Sequence, residues 1–244
     1  MIVLNAGVPR SGTVLVNAIL RKLFEGAGVA YGQANPHGAE LPKLTRHLRE
    51  TGQDRHKTII VHTHSWDNQT AAMLAGSEHF VGFANYRDPR DVCVSLMRLH
   101  EHDFETAAQM VEASFKLYEA TVRSAEVMTI AYELLSASPA AHIHQIAGRL
   151  GLRIGLDRVA GIEAETSIDH HRSVMEKVQA GTLDKLARRQ NTHRVLVEDT
   201  ETLINDRHIQ SGAQGRWRSE LPSDLHQVAN ERFAPILKRY GYAL

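Results

Sequence analysis

The feature that most constrains this chain is a glycine loop near its start, in which Gly7 and Gly12 are separated by four residues. Residues 2–6, before the loop, form an apolar run that is long enough for a buried strand but too short for a helix. Residues 13–24, after it, place apolar side chains at helical spacing. A glycine loop between a strand and a helix aims backbone N–H groups and a helix N-terminus at an anion. The sequence therefore predicts a phosphate-binding loop.

This loop lacks the two residues with which a nucleoside-triphosphate loop continues. That motif follows its second glycine with Lys, for the β- and γ-phosphates, and then with Ser or Thr, for Mg²⁺. Here these positions are Thr13, which has no charge, and Val14, which has no oxygen to offer a metal. The only charged residue in the loop is Arg10, which can stabilise negative charge on a leaving phosphate. The alternative is an ordinary glycine turn with Arg10 in solvent.

Short apolar runs and helical patterns alternate along much of the chain. Residues 32–52 have the pattern of a polar surface excursion with one helix, and residues 157–206 that of charged helices without clear strands. Further strands are predicted at 58–63, 80–86 and 127–132, and helices from Asp88-Pro89 and at 104–122, 139–150 and 223–240. The pattern predicts an α/β fold: a central, mainly parallel β-sheet flanked by helices, in a P-loop NTPase-like three-layer sandwich. The length predicts a single domain, residues 1–244.

Ligands of such sheets bind beyond the carboxyl ends of the strands. The chemistry of this chain is therefore expected just after Ala6, Thr63, Tyr86 and Ala131.

Composition limits the classes of partner and compartment. Lys+Arg and Asp+Glu both total 28, and a net charge of zero argues against a general nucleic-acid binder. Cys93 is the only cysteine, so no internal disulfide can form, and no apolar run approaches the length of a membrane span. With no leader pattern at the N-terminus, a cytoplasmic protein is expected. The 15 histidines are mostly scattered and form no standard metal motif, so no bound metal is expected.

Two segments carry a resemblance to a known family. Pro9-Arg10-Ser11-Gly12-Thr13 resembles the 5'-phosphosulfate loop of sulfotransferases, in its arginine variant. The segment from Tyr86 to Ser95, YRDPRDVCVS, resembles that family's 3'-phosphate segment, in which Arg87 and Ser95 match the two anchoring positions. Arg87 would offer a planar fork to a phosphate, and Ser95 a hydroxyl two helical turns further on. The alternative for this second segment is a helix start with Arg90 and Asp91 in surface ion pairs.

Two further matches are weaker. The segment GAQGRW, residues 212–217, resembles a late family loop that covers the nucleotide. Its residues are most similar to those of bacterial-type members. The family's two basic residues before this loop are Gln210 and Ser211 here, so Arg207, Arg216 and Arg218 are the candidates to replace them. Tyr132, in Ala-Tyr-Glu, matches a family tyrosine that lies near the adenine; the alternative is a tyrosine that closes a core strand.

The acid–base group is predicted at the end of the second long strand. His62-Thr63-His64 resembles a Lys-Thr-His sequence of the family, which makes His64 the general base and puts His62 in the place of the lysine. Residues two apart in a strand face the same side, so both imidazoles can enter one cleft. An imidazole suits proton abstraction near neutral pH. A structural histidine and a His-x-His metal site are the alternatives.

The resemblance implies a sulfotransferase that uses 3'-phosphoadenylyl sulfate (PAPS). Such an enzyme moves a sulfuryl group to a hydroxyl or amine by in-line transfer with a histidine base and no metal, and releases 3',5'-bisphosphoadenosine (PAP). The expected catalytic residues are His64, Arg10 and His62. The expected donor-binding residues are Arg10, Ser11, Gly12, Thr13, Val14, Arg87, Ser95, Tyr132, Ser211 and Gly212.

The acceptor is expected to be a small molecule or a carbohydrate, bound by the variable segments at residues 31–50 and 157–194. Their mixture of charge, His and Arg, with few aromatics, favours a polar acceptor such as a sugar. Two other functions stay open: a P-loop kinase or nucleotide hydrolase, and a nucleotide-binding protein without catalysis.

Overall fold

The computed structural model describes residues 1–34, 58–64, 79–180, 186–191, 194–199 and 212–244. Its strands are β1 (Ile2–Gly7), β2 (Tyr31–Ala34), β3 (Thr58–Thr63), β4 (Phe80–Tyr86), β5 (Val127–Ala131), β6 (Leu186–Asn191) and β7 (Arg194–Asp199). Its helices are α1 (Thr13–Gly26), α2 (Pro89–His100), α3 (Phe104–Ser124), α4 (Tyr132–Ala137), α5 (Pro139–Arg149), α6 (Leu156–Glu165), α7 (Ile168–Gln179), α8 (Trp217–Glu220) and α9 (Asp224–Tyr240).

Five strands form an all-parallel sheet in the order β2-β3-β1-β4-β5. In the central strand β1, Ala6 is level with Thr63 of β3 on one side and with Ala84 of β4 on the other. At the end of β4, Tyr86 is level with Ala131 of β5. The residues that follow these four strands therefore meet at one edge of the sheet, where ligands of parallel sheets bind. The predicted α/β fold, with a central parallel sheet flanked by helices, is confirmed.

The apolar core explains why the strands read as continuous hydrophobic runs. Val3 and Leu4 of β1 are fully buried, as expected where both faces of a parallel strand are covered. Beside β4, the helices α2, α3, α8 and α9 contribute a common cluster that includes Val92, Leu96, Val111, Phe115, Trp217, Phe233 and Leu237. Each large side chain of this kind contributes about 1.5–3 kcal/mol when it is fully buried. Within the described ranges, no helix combines the length and the apolar character needed to cross a membrane.

Helix α2 begins as the sequence predicts, at Asp88-Pro89. The Asp88 carboxylate accepts a hydrogen bond from the backbone N–H of Arg90, while Pro89 occupies the first turn. The same carboxylate accepts two hydrogen bonds from the Arg90 guanidinium, at 3.0 and 2.7 Å. Because this cap is doubly fixed, the residue just before it, Arg87, leaves β4 in a defined direction.

The described chain forms two compact units that interleave along the sequence. The first comprises residues 1–13, 29–137 and 214–244 and contains the whole parallel sheet. The second comprises residues 14–28 and 138–213, in which the Lys22 ammonium pairs with Glu165 of α6 at 2.8 Å. The expectation of a single domain stays a prediction.

Two expectations about local structure are wrong. Residues 32–34, predicted to belong to a polar excursion, are part of the edge strand β2 (Tyr31–Ala34), which pairs with β3. Residues 157–206, predicted to lack strands, contain the antiparallel pair β6–β7. The sequence of β6, LARRQN, has neither β-branched residues nor an apolar–polar alternation, so local composition favours a charged helix. The strand-like run lies in its neighbour β7, RVLVED, and β6 is a strand because it pairs with β7 in a hairpin.

A strand glycine gives a direct test of this packing. A Cβ on Gly7 would lie 2.6 Å from the backbone oxygen of Asn85 in β4, so we expect Gly7→Ala to lower the free energy of unfolding by about 1–3 kcal/mol. Gly32 in β2 is the matched control because a Cβ there meets nothing within 4 Å, and Gly32→Ala should leave stability unchanged or slightly raised. Urea denaturation followed by circular dichroism measures both, and equal stabilities of the two variants would contradict the close contact between β1 and β4.

Candidate active site

The glycine loop is closed by its own hydrogen bonds. The backbone N–H of Val8 donates to the Asn85 carbonyl at 2.9 Å, and the Ser11 hydroxyl donates to the Val8 carbonyl at 2.6 Å. Two of its residues adopt left-handed backbone, Arg10 with φ of 66° and Gly12 with φ of 87°. For a residue with a side chain this conformation costs roughly 1–2 kcal/mol, and such strain concentrates at functional sites. The loop therefore holds Arg10 in a conformation that an unconstrained chain would avoid.

A buried pair of asparagines supports the loop from below. The Asn85 amide donates to the side-chain oxygen of Asn5 at 2.8 Å and to the Ala6 carbonyl at 3.1 Å. In turn, the Asn5 amide donates to the Thr13 carbonyl at 2.8 Å, which ties the end of the loop to β1. Both asparagines are fully buried. Sequence reasoning missed this pair. An Asn inside each of two apolar strands was a usable signal, because a buried amide requires hydrogen-bond partners.

The two segments predicted to bind phosphates meet in the structure. The Arg10 side chain donates from Nε to the hydroxyl oxygen of Ser95 at 2.8 Å, across 85 residues of sequence. Ser95 lies in α2 and is almost fully buried. The loop after β1 and the helix after β4 are thus joined at one point.

Three arginines share this part of the site. The pKa of Arg10 is lowered to about 10, first by burial and then by the positive charges of Arg87 and Arg216. Arg10 is still a cation at neutral pH, held near two like charges in a partly desolvated place. A bound anion would relieve this repulsion, so the residues present fit a phosphate or a phosphosulfate.

Asp91 connects several parts of the site through hydrogen bonds. Its fully buried carboxylate accepts hydrogen bonds from the Arg87 guanidinium at 3.0 Å, from the backbone N–H of Gly215 at 2.8 Å and from that of Trp217 at 3.0 Å. The alternative that placed Arg90 and Asp91 in surface ion pairs is wrong, because both are buried. Asp91 therefore joins Arg87 to the late loop, and sequence reasoning did not assign it this role.

The late loop brings one of its arginines near the glycine loop. Arg216 influences Arg10 electrostatically, while its guanidinium pairs with Glu220 through two hydrogen bonds of 2.6 and 2.8 Å. The exposed Arg218 instead lies over the Trp217 ring, 4.5 Å from its centre. Of the two candidate replacements that the structure describes, Arg216 is the one whose charge acts on Arg10; Arg207 lies outside the described residues.

Tyr132 connects Arg87 with the glycine loop. The Arg87 guanidinium lies over the Tyr132 ring, 4.3 Å from its centre. A Cβ on Gly12 would lie 2.8 Å from the same ring, so only a glycine permits this approach. The strand predicted to run through Tyr132 ends one residue earlier, and Tyr132 opens α4. Tyr132 is therefore a residue of the site edge and does not close the core strand.

The tautomer of His64 can be assigned from its contact. Its Nδ1 lies 3.0 Å from the Gly7 carbonyl oxygen, which can only accept a hydrogen bond. Nδ1 therefore carries the proton, and Nε2 keeps its lone pair, as a general base requires. The His62 ring lies edge-on to it, with 5.4 Å between the ring centres. In the part of the chain that the structure describes, no group of three His, Cys, Asp or Glu residues could hold a metal.

A small cavity of about 10 Å³, the room that one water molecule needs, lies beside His64. Sequence reasoning placed acceptor binding in residues 31–50 and 157–194, of which residues 35–50, 181–185 and 192–193 lie outside the described structure. One helix that it did not single out, α3, provides much of the cavity wall. The lining residues are Ala6, Gly7, Thr63, His64 and Ala84 from the sheet edge and Ser114, Leu117, Tyr118 and Thr121 from α3.

Most of the predicted site residues are brought together, though their roles stay predictions. Contacts within the first unit connect Arg10, Ser11, Gly12, Thr13, His62, His64, Arg87, Ser95 and Tyr132. Val14 follows as the second residue of α1, and Gly212 has left-handed backbone with φ of 65°; both belong to the second unit. Ser211 lies outside the described residues.

Comparison with known proteins identifies the fold. No family model matches the chain, and no curated protein matches it. Among solved structures, a retinol dehydratase in complex with androsterone and the inactive cofactor PAP aligns with a TM-score of 0.62 at 15% identity, over 97% of this chain and 80% of that one. Mouse sulfotransferase SULT7A1 complexed with PAP gives 0.61 at 13% identity, over 97% and 84%. The chain has a sulfotransferase fold.

A second retinol dehydratase structure, with retinol and PAP, aligns with a TM-score of 0.59 at 17% identity, over 97% of this chain and 81% of that one. At these identities the likeness establishes the fold. It agrees with the family resemblance that the two phosphate-binding segments carry.

Asp91 should be a point of weakness in this sulfotransferase fold. Asp91→Ala would leave the buried Arg87 charge without its carboxylate and remove the acceptor of two backbone N–H groups, so we expect a loss of about 3–5 kcal/mol in the free energy of unfolding. Asp169→Ala is the control, because Asp169 pairs with Arg172 on the exposed surface of α7 and its loss should change stability by less than about 0.5 kcal/mol. Chemical denaturation measures the free energy of unfolding of both variants. A small loss in Asp91→Ala would show that other contacts hold the late loop in place.

Proposed function

We propose that this chain is a sulfotransferase that moves a sulfuryl group from PAPS to a hydroxyl or amine acceptor and releases PAP. The observation that carries the proposal is the hydrogen bond of 2.8 Å between Arg10 and Ser95. It joins a loop suited to the 5' end of the donor to a helix suited to its 3'-phosphate. The aligned solved structures contain PAP, which agrees with a site for a doubly phosphorylated adenosine.

The donor would be held at its two ends by different groups. The glycine loop offers Arg10 and the N-terminus of α1 to the 5'-phosphosulfate, since a helix N-terminus favours an anion. Arg87 and Ser95 would bind the 3'-phosphate, with the Arg87 fork kept in plane by Asp91 and by the Tyr132 ring. Tyr132 would also contact the adenine, as its family counterpart does.

His64 would act as the general base. Its Nε2 takes the acceptor's proton while the acceptor atom uses a lone pair to form a bond to sulfur. The bond between sulfur and the bridging oxygen breaks at the same time, and its electron pair stays with the leaving phosphate. Arg10 stabilises the charge that develops there. This reaction requires no metal at the loop, which agrees with Thr13 and Val14 in place of the Lys and the Ser or Thr of a nucleoside-triphosphate loop.

Calorimetric titration with PAP and with ADP tests the donor site. PAP should bind more tightly because only PAP has a 3'-phosphate. Arg87→Lys keeps the charge but loses the fork, so we expect it to weaken PAP binding about 10- to 100-fold while ADP binding changes little. Arg123→Lys, at an exposed position of α3, is the control and should change neither affinity. Equal affinity of the native protein for PAP and ADP would exclude the proposed 3'-phosphate site.

Turnover of PAPS tests the base and separates an enzyme from a non-catalytic binding protein. His64→Asn can keep an N–H donor near the position of Nδ1, and so the contact with Gly7, but it has no base; we expect kcat to fall about 10²- to 10⁴-fold with PAP affinity unchanged. His64→Gln, which reaches the position of Nε2 instead, should lose turnover as well. Transfer is measured as PAP release with phenols, sugars, androsterone and retinol as acceptors, with and without a chelator.

A chelator should leave this turnover unchanged. Full turnover in His64→Asn would remove His64 as the base. Consumption of ATP that requires Mg²⁺ would favour the kinase or hydrolase alternative instead.

A further inference from the structure

The start of α2 is capped by a side chain from another helix. In a capping box, the side chain three positions after the cap residue reaches back to the N–H of that residue. The cap residue here is Asp88 and the third position is Asp91, but the Asp91 carboxylate accepts from Arg87 and from two N–H groups of the late loop. The Asp88 N–H donates instead to Oε1 of Glu133, in α4, at 2.9 Å. Glu133 thus completes the cap of α2 while Asp91 serves Arg87.

The second carboxylate oxygen of Glu133 is held by a residue just beyond the end of α9. The Tyr242 hydroxyl donates to Oε2 at 2.8 Å. Burial raises the pKa of this hydroxyl, and the negative charge of Glu133 raises it as well, so Tyr242 keeps its proton at neutral pH. The Tyr242 N–H donates to the Leu237 carbonyl at 2.9 Å, and its ring lies edge-on to that of Tyr86, with 6.4 Å between the ring centres. Tyr242 is therefore fixed itself, and it fixes the direction of the Glu133 carboxylate.

The main chain of Glu133 is tied to the late loop. Its carbonyl accepts a hydrogen bond from the side-chain amide of Gln214 at 2.9 Å. The residue before it, Tyr132, is the one whose ring lies against the Arg87 guanidinium. Glu133 therefore lies where the start of α2, the late loop and the Tyr132 ring come together around Arg87.

We infer that Glu133 is a positioning residue of the 3'-phosphate site and that Tyr242 holds its carboxylate in place; this rests on the proposed function. The Asp88 N–H belongs to the peptide unit that joins Arg87 to Asp88, so the hydrogen bond to Glu133 fixes the backbone from which the Arg87 side chain starts. A planar fork must meet two phosphate oxygens at once, and a small rotation of its base loses one of the two hydrogen bonds. In this role Glu133 acts through Arg87, without contact with the donor.

This role depends on hydrogen bonds at two fixed points. A glutamine has the length of a glutamate: its amide oxygen can accept from the Asp88 N–H, and its amide nitrogen can donate to the Tyr242 hydroxyl oxygen. A methionine has a similar length and helix propensity, but its sulfur accepts hydrogen bonds only weakly. Glu133→Gln should therefore preserve the site, and Glu133→Met should loosen it.

Calorimetric titration with PAP and with adenosine 5'-monophosphate (AMP) tests the inference, since the two ligands differ only in the 3'-phosphate. For Glu133→Met we expect PAP affinity to fall about 5- to 10-fold and AMP affinity to change less than about twofold, because a hydrogen bond to a charged phosphate is weakened. Glu133→Gln should bind PAP within about twofold of the native protein. Glu231→Met is the matched control: Glu231 lies exposed on α9, where it accepts from Gln227, and neither affinity should change.

Tyr242→Phe gives a second, milder test, which also serves if Glu133→Met does not fold. It removes only the hydroxyl that holds Oε2 of Glu133, so PAP affinity should fall about two- to threefold while AMP affinity stays the same.

A purely structural role of Glu133 would lower PAP and AMP affinity by the same factor. That result, unchanged PAP affinity in both Glu133→Met and Tyr242→Phe, or an equal loss in Glu133→Gln and Glu133→Met would overturn the inference. A native protein that binds PAP no more tightly than AMP would instead overturn the proposed 3'-phosphate site, so the two failures are distinguishable.

Discussion

The site depends on keeping like charges close together. Burial lowers the pKa of Arg10, and the nearby positive charges of Arg87 and Arg216 lower it as well. Asp91 pairs with Arg87, and Glu220 pairs with Arg216, which offsets part of the repulsion. These two carboxylates fix Arg87 and Arg216 in place. Preorganised charge of this kind is the main electrostatic device by which enzymes stabilise developing charge, and it lowers the stability of the protein that contains it.

Such an arrangement requires a rigid base, which the sheet supplies. The level ends of β1, β3 and β4 set the positions from which the glycine loop, His64 and Arg87 start. Asn5 and Asn85 fix β1 to β4 from within the core, where their hydrogen bonds are shielded from water. The left-handed backbone of Arg10 then persists because the loop on both sides of it is fixed.

The sequence predicted the elements whose structure is decided locally. Apolar runs located β1, β3 and β4, and the Asp88-Pro89 cap located the start of α2. It did not predict β2, whose pairing partner β3 is distant in sequence, or the local hairpin β6–β7, in which β6 is not strand-like in composition and the strand-like run of β7 is only three residues long.

The site residues also divide into those that a local pattern predicts and those that it does not. Arg10, Arg87 and Ser95 were predicted because each has a fixed spacing within a short segment. The role of Asp91 depends on backbone N–H groups that a distant loop brings next to it, and no local pattern records that. Asn5 and Asn85 lie between these cases: each is unusual inside an apolar strand, but only the register of β1 and β4 shows that they pair.

The glycine loop and the cavity beside His64 differ in charge, and for the proposed function this has a consequence. Arg10 of the loop lies near Arg87 and Arg216, while the cavity lining offers an imidazole and neutral hydroxyls. In the family sequence that this chain resembles, a lysine stands where His62 is found, and a neutral imidazole supplies no fixed charge there. Arg10 then has to supply the cation that faces the leaving oxygen. Its burial suits that role, because a charge shielded from water stabilises a nearby negative charge more strongly than an exposed one does.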